Sequence, residues 1–276
     1  LTHPWESLNM RVAINGFGRI GRSVFRILNS RENVSVVAIN DIAQNDALVY
    51  LLKYDTVMGR FEDTVTLDGD VMKTSNNTIK MMAEREPSQL PWNNLNVDVV
   101  IEATGIFCAR DQIQQHIDAG AKRVILTVPA KDEIDYTVVI GVNDDGLTAN
   151  HKIISNASCT TNCLAPVVKV IHENLGISHG SITTIHDVTN TQTIVDRPAK
   201  DLRRARSALN SLIPTTTGSA TAITLIYPEL TGKLNGHAVR VPLLNASLTD
   251  CVFEVQRPTD VAEVNELFKA AAEGDL

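Results

Sequence analysis

The chain has 276 residues, which is more than one average hydrophobic core requires and is enough for two domains. Its formal net charge of −7 disfavours a dedicated nucleic-acid-binding protein, because contact with phosphate backbones requires positive surface. No run approaches the roughly 20 apolar residues of a membrane-spanning helix, and residues 1–9 lack the basic start and apolar run of a signal peptide. We therefore expect a cytoplasmic protein that binds neither membranes nor nucleic acid.

The first predicted elements are a strand at 11–15, a glycine-rich turn and a helix. Gly16, Gly18 and Gly21 have the spacing G-x-G-x-x-G, in the strand–turn–helix context that gives this motif its meaning. Such glycines allow a tight turn, the approach of a pyrophosphate and close packing of the helix on the strand. A second predicted strand ends in Asp41, whose carboxylate suits the ribose hydroxyl of NAD and repels the extra phosphate of NADP. The pattern predicts an NAD site, and a glycine-rich turn without a ligand is the alternative.

Further apolar runs predict a parallel sheet that is covered on both faces, with strands at 97–105, 123–129, 136–143 and 152–158. The segment 110–123 is typical of a crossover helix that ends near Gly120. The segment 61–84 alternates apolar and polar residues and contains an Asp-Gly pair, so it predicts an antiparallel excursion. Thr127 falls at the end of a predicted strand, where sheets of this kind bind ligands.

The stretch SNASCTTNCLAP, residues 155–166, contains two of the four cysteines. Cys159 and Cys163 are one helical turn apart, which directs them poorly for a disulfide, and no further ligands lie close enough for a zinc site. Cys159 begins an apolar-periodic segment, so we expect it at a helix N-terminus, where the dipole stabilises a thiolate. Pro166 is expected to kink this helix. Cys163 is expected to face the packed interior and to be inert.

A nucleophilic cysteine needs a base, and the sequence contains seven histidines. His186 lies near the end of the predicted strand 180–188 and precedes a polar loop. This position favours His186 as the partner of Cys159, whereas an ordinary histidine at a strand end is the alternative. The residues alone do not decide between the two.

Five motifs occur in one order along the chain: INGFGRIGR, SNASCTTNCLAP, DLRRAR, IPTTTG and GKLNGHAVRVP. Together they closely resemble the phosphorylating glyceraldehyde-3-phosphate dehydrogenase family, from about Met10 to the end of the given chain. The resemblance implies an α/β protein with a Rossmann-type, doubly wound NAD-binding domain at 10–158. An α+β catalytic domain with a mixed or antiparallel sheet would follow at 159–276. Residues 1–9 are expected to be a non-native or disordered extension.

The resemblance also assigns roles to individual positions. Cys159 matches the family's nucleophile, and His186 matches the residue that activates it. Positions that match the NAD-binding residues are Gly16, Gly18, Arg19, Ile20, Gly21, Asp41, Arg85 and Thr127. Positions that match the residues holding the substrate or the attacking phosphate are Ser158, Cys159, Thr160, Thr189, Arg204, Thr217, Gly218 and Arg240.

The implied reaction is the NAD-dependent oxidative phosphorylation of glyceraldehyde 3-phosphate to 1,3-bisphosphoglycerate through a cysteine thioester. Its partners would be a triose phosphate, inorganic phosphate and three further copies of the chain in a homotetramer. The segment from Val188 to about Ala208 resembles the S-shaped loop that reaches the NAD site of a neighbouring subunit. The family also has a further strand and a C-terminal helix, so we expect the given chain to lack its C-terminal part.

The segment HDVTNTQ departs from the family pattern near the expected active site, because Val188 stands where the family more often has an aromatic residue. Asp187 follows the catalytic histidine and could either raise the pKa of His186 or point away along the strand. Thr191 replaces a commonly acidic residue near the substrate phosphate. These changes resemble a paralogous branch that uses arsenate in place of phosphate, so a role in arsenate detoxification stays open. The residues also leave open a Cys–His acyl hydrolase without NAD and a non-catalytic binding protein.

Overall fold

The computed structural model describes residues 9–274 and Leu276. The predicted extension at 1–9 lies outside this part of the chain except for Asn9. Contacts divide the chain into two compact units. The first contains the described residues up to Val138 together with Leu147–Ala157, and the second contains Val139–Gly146 and the residues from Ser158 onwards. No helix among the described residues is long and apolar enough to cross a membrane.

The first unit is built around a nine-stranded sheet with the strand order β10-β11-β9-β8-β1-β2-β7-β6-β5. Its elements are β1 (Met10–Asn15), α1 (Arg19–Leu28), β2 (Val34–Asn40), α2 (Asn45–Lys53), β3 (Tyr54–Asp55), β4 (Gly59–Arg60), β5 (Thr66–Asp68), β6 (Val71–Lys73), β7 (Thr78–Met82), β8 (Val99–Glu102), α3 (Arg110–Asp118), β9 (Arg123–Leu126), β10 (Tyr136–Thr137) and β11 (Ile153–Ser155). The first seven strands in this order, from β10 to β7, pair in parallel with their neighbours. The last two, β6 and β5, pair antiparallel and form one edge of the sheet. The predicted parallel sheet and antiparallel excursion are therefore confirmed.

The sheet of this unit is covered on both faces, as its apolar strands require. Successive residues of a strand point to opposite faces. Ala13 of β1 belongs to a buried cluster with Ile113 of α3, and its neighbour Ile14 belongs to a second cluster with Phe25 of α1 and Leu52 of α2. Helices thus pack on either side of the sheet, which is the doubly wound arrangement.

The predicted strand at 136–143 is wrong beyond Thr137, because the chain turns instead of extending. Gly141 has a φ of +79°, which suits glycine and ends an extended run. The side chain of Asn143 accepts from the Val139 N–H at 2.8 Å, and Asp144 accepts from the Gly141 N–H at 2.7 Å. These side chains bind backbone groups that a strand would have used for pairing.

The second unit contains a four-stranded mixed sheet with the strand order β13-β14-β12-β15. Its elements are α4 (Cys159–Leu175), β12 (Ile177–His186), β13 (Ile213–Thr216), α5 (Ser219–Ile223), β14 (Leu234–Arg240), β15 (Ser247–Val255) and α6 (Val261–Ala272). β12 pairs in parallel with β14 and antiparallel with β15. The buried residues Leu164, Val168, Ile171 and Leu175 give α4 an apolar stripe at helical spacing. The helix begins at Cys159, as predicted, and runs as one element through Pro166.

Candidate active site

Cys159 is the first residue of α4, and the preceding Ser158 caps the helix. The Ser158 side chain accepts a hydrogen bond from the Thr161 N–H at 3.1 Å, and the Ser158 backbone oxygen accepts from the Asn162 side chain at 2.9 Å. Serine is a favoured N-cap because its oxygen satisfies a backbone donor of the first turn. The cap fixes the start of the helix, so the Cys159 thiol lies exposed where the helix dipole favours negative charge.

His186 is the last residue of β12, and its ring lies against this thiol. The distance between Cys159 Sγ and His186 Nε2 is 3.4 Å. This hydrogen bond is the main cause that lowers the pKa of Cys159, and hydrogen bonds from the backbone and hydroxyl of Thr160 lower it further against the opposing effect of burial. The same bond to Cys159 is the main cause that raises the pKa of His186. The pair is therefore built to hold a thiolate beside an imidazolium.

Arg240 reaches the pair because of strand register. His186 and Arg240 are the last residues of the parallel strands β12 and β14, and they lie opposite each other. Arg240 Nη1 lies 2.8 Å from His186 Nδ1 and donates to the backbone oxygen of Asp187 at 2.7 Å. Burial lowers the pKa of Arg240, and the nearby charge of Arg204 lowers it further. Arg240 Nε is also buried without a hydrogen-bond partner among the described residues.

The remaining predicted substrate-binding residues lie in neighbouring turns of the same unit. Arg204 Nε donates to the Thr215 hydroxyl at 2.9 Å, on the strand that pairs with β14. Thr217 and Gly218 precede α5, where the Thr217 hydroxyl donates to Ser219 at 3.1 Å. Thr189 follows β12, and its hydroxyl lies 2.9 Å from that of Thr191. The direct neighbours of the Cys159–His186 pair are thus Thr160, Asp187 and Arg240. The substrate-binding roles of all the predicted positions stay predictions.

The structure contradicts the expectation for Cys163 and decides between the two alternatives left open for Asp187. Cys163 does not face the packed interior, because its thiol is exposed and lies 3.6 Å from the Thr249 hydroxyl. Asp187 does not point away, because its Oδ1 lies 2.7 Å from His186 Nδ1. Alternation along a strand would have put the neighbouring side chains on opposite faces, but β12 ends at His186 and alternation ends with it.

The glycine turn of the first unit has the shape that a dinucleotide requires. Gly16 has a φ of +90°, and a Cβ on it would lie 2.6 Å from the Thr104 backbone nitrogen. A Cβ on Gly18 would meet no described atom within 4 Å, so this position is open for a ligand. Asp41 accepts from the Phe17 N–H at 2.7 Å and from the Ala43 N–H at 2.9 Å. The carboxylate thus lies beside the turn, and these residues fit a bound NAD.

The other predicted NAD-binding residues lie at the same edge of the sheet. Arg19 and Ile20 begin α1 directly after β1, and Ile20 is exposed. Arg85 is exposed and lies shortly after β7. Thr127 follows β9, and its hydroxyl donates to the backbone oxygen of Glu102 at 3.2 Å. Since β9, β8, β1, β2 and β7 are adjacent and parallel, their carboxyl ends form one edge. Ligands of doubly wound sheets bind at this edge.

Comparison with known proteins identifies the family. Residues 10–110 match the model of the glyceraldehyde 3-phosphate dehydrogenase NAD binding domain, and residues 158–276 match that of the C-terminal domain of the same enzymes. The glyceraldehyde-3-phosphate dehydrogenases of Priestia megaterium and Geobacillus stearothermophilus are 51% and 52% identical over 268 residues, which cover 97% of this chain and 80% of each relative. The chromosomal enzyme of Cupriavidus necator is 50% identical over 272 residues, covering 98% and 81%. The cofactor is NAD, and the chain belongs to the glyceraldehyde 3-phosphate dehydrogenase family.

Proposed function

We propose that the protein oxidises glyceraldehyde 3-phosphate with NAD and inorganic phosphate to 1,3-bisphosphoglycerate, through a thioester on Cys159. The observation that carries the proposal is the Cys159–His186 pair at the start of α4, with Sγ and Nε2 3.4 Å apart and Arg240 beside it. A thiolate, a base and a cationic anion site are what this reaction needs. The relatives that carry the name of this enzyme support the same conclusion.

The first chemical step follows from the thiolate–imidazolium pair. The Cys159 thiolate attacks the aldehyde carbon, a C–S bond forms, and the carbonyl oxygen takes the proton from His186 Nε2. The product is a hemithioacetal, and His186 is now neutral. Its Nε2 then accepts the hydroxyl proton as the hydride leaves the carbon, and a thioester remains. NAD, when bound, supplies the acceptor of this hydride.

The second half of the reaction releases the product. An oxygen of inorganic phosphate attacks the thioester carbon, the C–S bond breaks, and the electron pair returns to Cys159 as thiolate. His186 in its cationic form stabilises that leaving group, so the resting pair is restored. Acyl transfer of this kind needs a phosphate held near the thioester, and the reaction as a whole needs a site for the phosphate of the triose.

The cationic residues supply these anion sites. Arg204 lies close enough to Arg240 for its charge to lower the pKa of Arg240. Arg240 also has a buried Nε without a hydrogen-bond partner in the described chain. An anion beside them would relieve the repulsion and accept this hydrogen bond. Thr189, Thr217 and Gly218, together with Ser158 and Thr160 beside the cysteine, add neutral donors. We propose that Arg240 with Thr189 and Arg204 with Thr217 and Gly218 hold the two phosphates.

The same proposal extends to domain roles, assembly and location. The NAD-binding domain would span 10–158 and the catalytic domain 159–276. The two compact units support these bounds except at Val139–Gly146 and Ser158, which belong to the second unit. The proposed assembly is a homotetramer. A contact with another copy of the chain is supported by apolar side chains exposed in the segment 188–208, with Ile194, Val195 and Leu202 between 68% and 78% exposed. A cytoplasmic location is supported by the need to keep the Cys159 thiol reduced.

The test is NADH formation by the purified protein from glyceraldehyde 3-phosphate, with phosphate, with arsenate or with neither anion. We expect multiple turnover with phosphate and at most about one equivalent of NADH per chain without an anion, because the thioester then persists. Cys159→Ser is the matched control and should form no NADH. Hydrolysis of an ester by a protein that forms no NADH under any of these conditions would contradict the proposal in favour of an acyl hydrolase. If kcat/KM is tenfold higher for arsenate than for phosphate, arsenate and not phosphate is the second substrate.

A further inference from the structure

Asp187 lies on the side of the His186 ring that faces away from the nucleophile. Its carboxylate Oδ1 is 2.7 Å from His186 Nδ1, and its backbone oxygen is 2.8 Å from the same nitrogen. The His186 side chain is 8% exposed and that of Asp187 is 15% exposed, so both charges are only partly screened by water. Ser247, opposite His186 on β15, holds Asp187 by accepting from its N–H at 3.3 Å and donating to Oδ1 at 3.4 Å.

The protonation state of Nδ1 depends on two competing neighbours. Arg240 Nη1 lies 2.8 Å from Nδ1 and could donate to it, which would force the ring proton onto Nε2. The backbone oxygen and the carboxylate Oδ1 of Asp187 instead require Nδ1 to be the donor, because both can only accept. The carboxylate favours the second arrangement, because it can only accept and Nδ1, at 2.7 Å, lies closer to it than the Ser247 hydroxyl at 3.4 Å. Nε2 of the neutral ring is then an acceptor that faces Cys159.

The charges around His186 lead to the same assignment. Arg240 faces the ring from β14 with Arg204 behind it, Cys159 faces it from α4, and the residue opposite on β15 is the uncharged Ser247. A cationic ring beside Arg240 is disfavoured unless a negative charge lies between or beside them. The Asp187 carboxylate is the anion in that position.

We propose that Asp187 is a positioning residue for His186: its carboxylate keeps the proton on Nδ1 and offsets the charge of Arg240, so that Nε2 serves Cys159. Cys159, His186 and Asp187 thus form a hydrogen-bonded triad, in which Asp187 contacts neither the substrate nor the reacting sulfur. The inference rests on the proposed function, because it names the group that sets the protonation state of the same site. The charge of Asp187 also acts on Arg240, where it raises the pKa against the effects of burial and of Arg204.

The experiment is a nitrogen-15 NMR titration of the full chain labelled in histidine, comparing the protein with D187N, D187E and D250N. We expect the wild-type His186 ring to carry its neutral proton on Nδ1 and to titrate at a higher pH than in D187N. In D187N the neutral proton should move to Nε2, because Arg240 then competes for Nδ1. D187E should restore the wild-type tautomer. D250N removes an exposed carboxylate from β15 and should leave His186 unchanged.

Reaction rates provide a second measurement, which would not change if Asp187 had a purely structural role. Iodoacetamide labelling of Cys159 near neutral pH should slow about tenfold in D187N, since less of the ring is cationic and less of the thiol is ionised. The kcat of the dehydrogenase should fall in step, whereas KM for the aldehyde should not rise, because the variant leaves more positive charge at the anion site. D187S replaces D187N should the latter not fold.

The inference is overturned if D187N keeps the wild-type tautomer and titration midpoint, or if D250N shifts them equally. The proposed function fails separately, by the absence of NADH formation in the wild-type protein. The NMR titration and the labelling rates report on Asp187 in either case, because neither depends on turnover.

Discussion

A Cβ on Gly21 would lie 2.1 Å from the backbone oxygen of Gly16. No side chain tolerates such a contact, so the helix α1 can approach the turn after β1 only because residue 21 has none. The neighbouring Gly18 has an ordinary φ of −71°, and a Cβ there would meet no atom of the described chain within 4 Å. The two glycines are therefore required for different reasons.

This difference gives a matched pair of variants. G21A should lower the free energy of unfolding by about 1–3 kcal/mol, the usual cost of overpacking, because the helix has to shift. G18A should leave stability unchanged or raise it by up to about 1 kcal/mol, because alanine restricts the unfolded chain. G18A should still weaken NAD binding at least tenfold, because its methyl group occupies the space where the pyrophosphate approaches.

Urea unfolding and calorimetric titration with NAD check both variants. Tight NAD binding by G18A would contradict the proposed role of this turn, and a stable G21A with normal affinity would contradict the packing described above.

Asp41 should set the choice between NAD and NADP. Its carboxylate accepts from the backbone at Phe17 and Ala43, which holds it beside the glycine turn. We expect NAD to bind at least tenfold more tightly than NADP, a difference of about 1.4 kcal/mol, because a 2′-phosphate would approach this charge. D41N keeps an oxygen that can accept from the backbone, but it removes the charge. The preference for NAD over NADP should therefore fall to less than threefold. D46N removes an exposed charge from α2 and serves as the control. Equal affinities in the wild type would refute the assignment.

The glycine turn and the start of α4 could be predicted because both are local. G-x-G-x-x-G between a strand and a helix fixes where Gly16, Gly18 and Gly21 must lie, and the start of an apolar-periodic segment fixes Cys159 at a helix N-terminus. The family resemblance then identified the reaction. None of this needed the packing of distant segments.

The contacts of Asp187 and Cys163 could not be predicted because they depend on register. Asp187 reaches His186 only because β12 ends there and Ser247 lies opposite on β15. Cys163 is exposed because the apolar stripe of α4 runs through Leu164 and Val168, and the helix turns the thiol towards Thr249 instead. The apolar residues of 136–143 predict a strand, whereas the side chains of Asn143 and Asp144 bind the backbone locally.

Asp135 should contribute to the acid sensitivity of the first unit. Burial opposes its ionisation, but hydrogen bonds from the Ile153 and Lys152 N–H groups and from Arg110 outweigh this and lower its pKa below 3.8. A group with a lowered pKa stabilises the fold above its unfolded pKa and loses that effect as the pH falls through the folded value. The stabilisation is thus complete at neutral pH, begins to weaken near the unfolded pKa of 3.8 and is lost only as the pH falls through the lower folded value.

D135N should therefore be less stable than the wild type by about 1.5–3 kcal/mol at pH 7, the usual range for hydrogen bonds to a charged group. The difference should shrink steadily as the pH falls below 4. Urea unfolding across this range measures it, and D70N, which removes an exposed charge from the same unit, is the control. A difference between D135N and wild type that is independent of pH would mean that the carboxylate acts through packing and not through its charge.

Among the four free thiols, Cys159 should be the reactive one. Its pKa is lowered, chiefly by the hydrogen bond from His186, whereas burial raises the pKa of Cys108 and raises that of Cys251 to about 11. Cys163 is also exposed, but it lacks the helix N-terminus and the imidazole. Since the thiolate is the nucleophile, exposure alone does not make a cysteine reactive.

Iodoacetamide at pH 7 should label Cys159 at least tenfold faster than Cys163, as measured by mass spectrometry of peptides. C159S should bind NAD and form no NADH, because a serine hydroxyl is a much weaker nucleophile at this pH. C163S is the matched control one turn along the helix, and it should keep most of the activity. H186N should slow the labelling of Cys159, since the proton that stabilises the thiolate is gone. Faster labelling of Cys163, or an active C159S, would mean that the nucleophile is another residue and that the thioester mechanism does not apply.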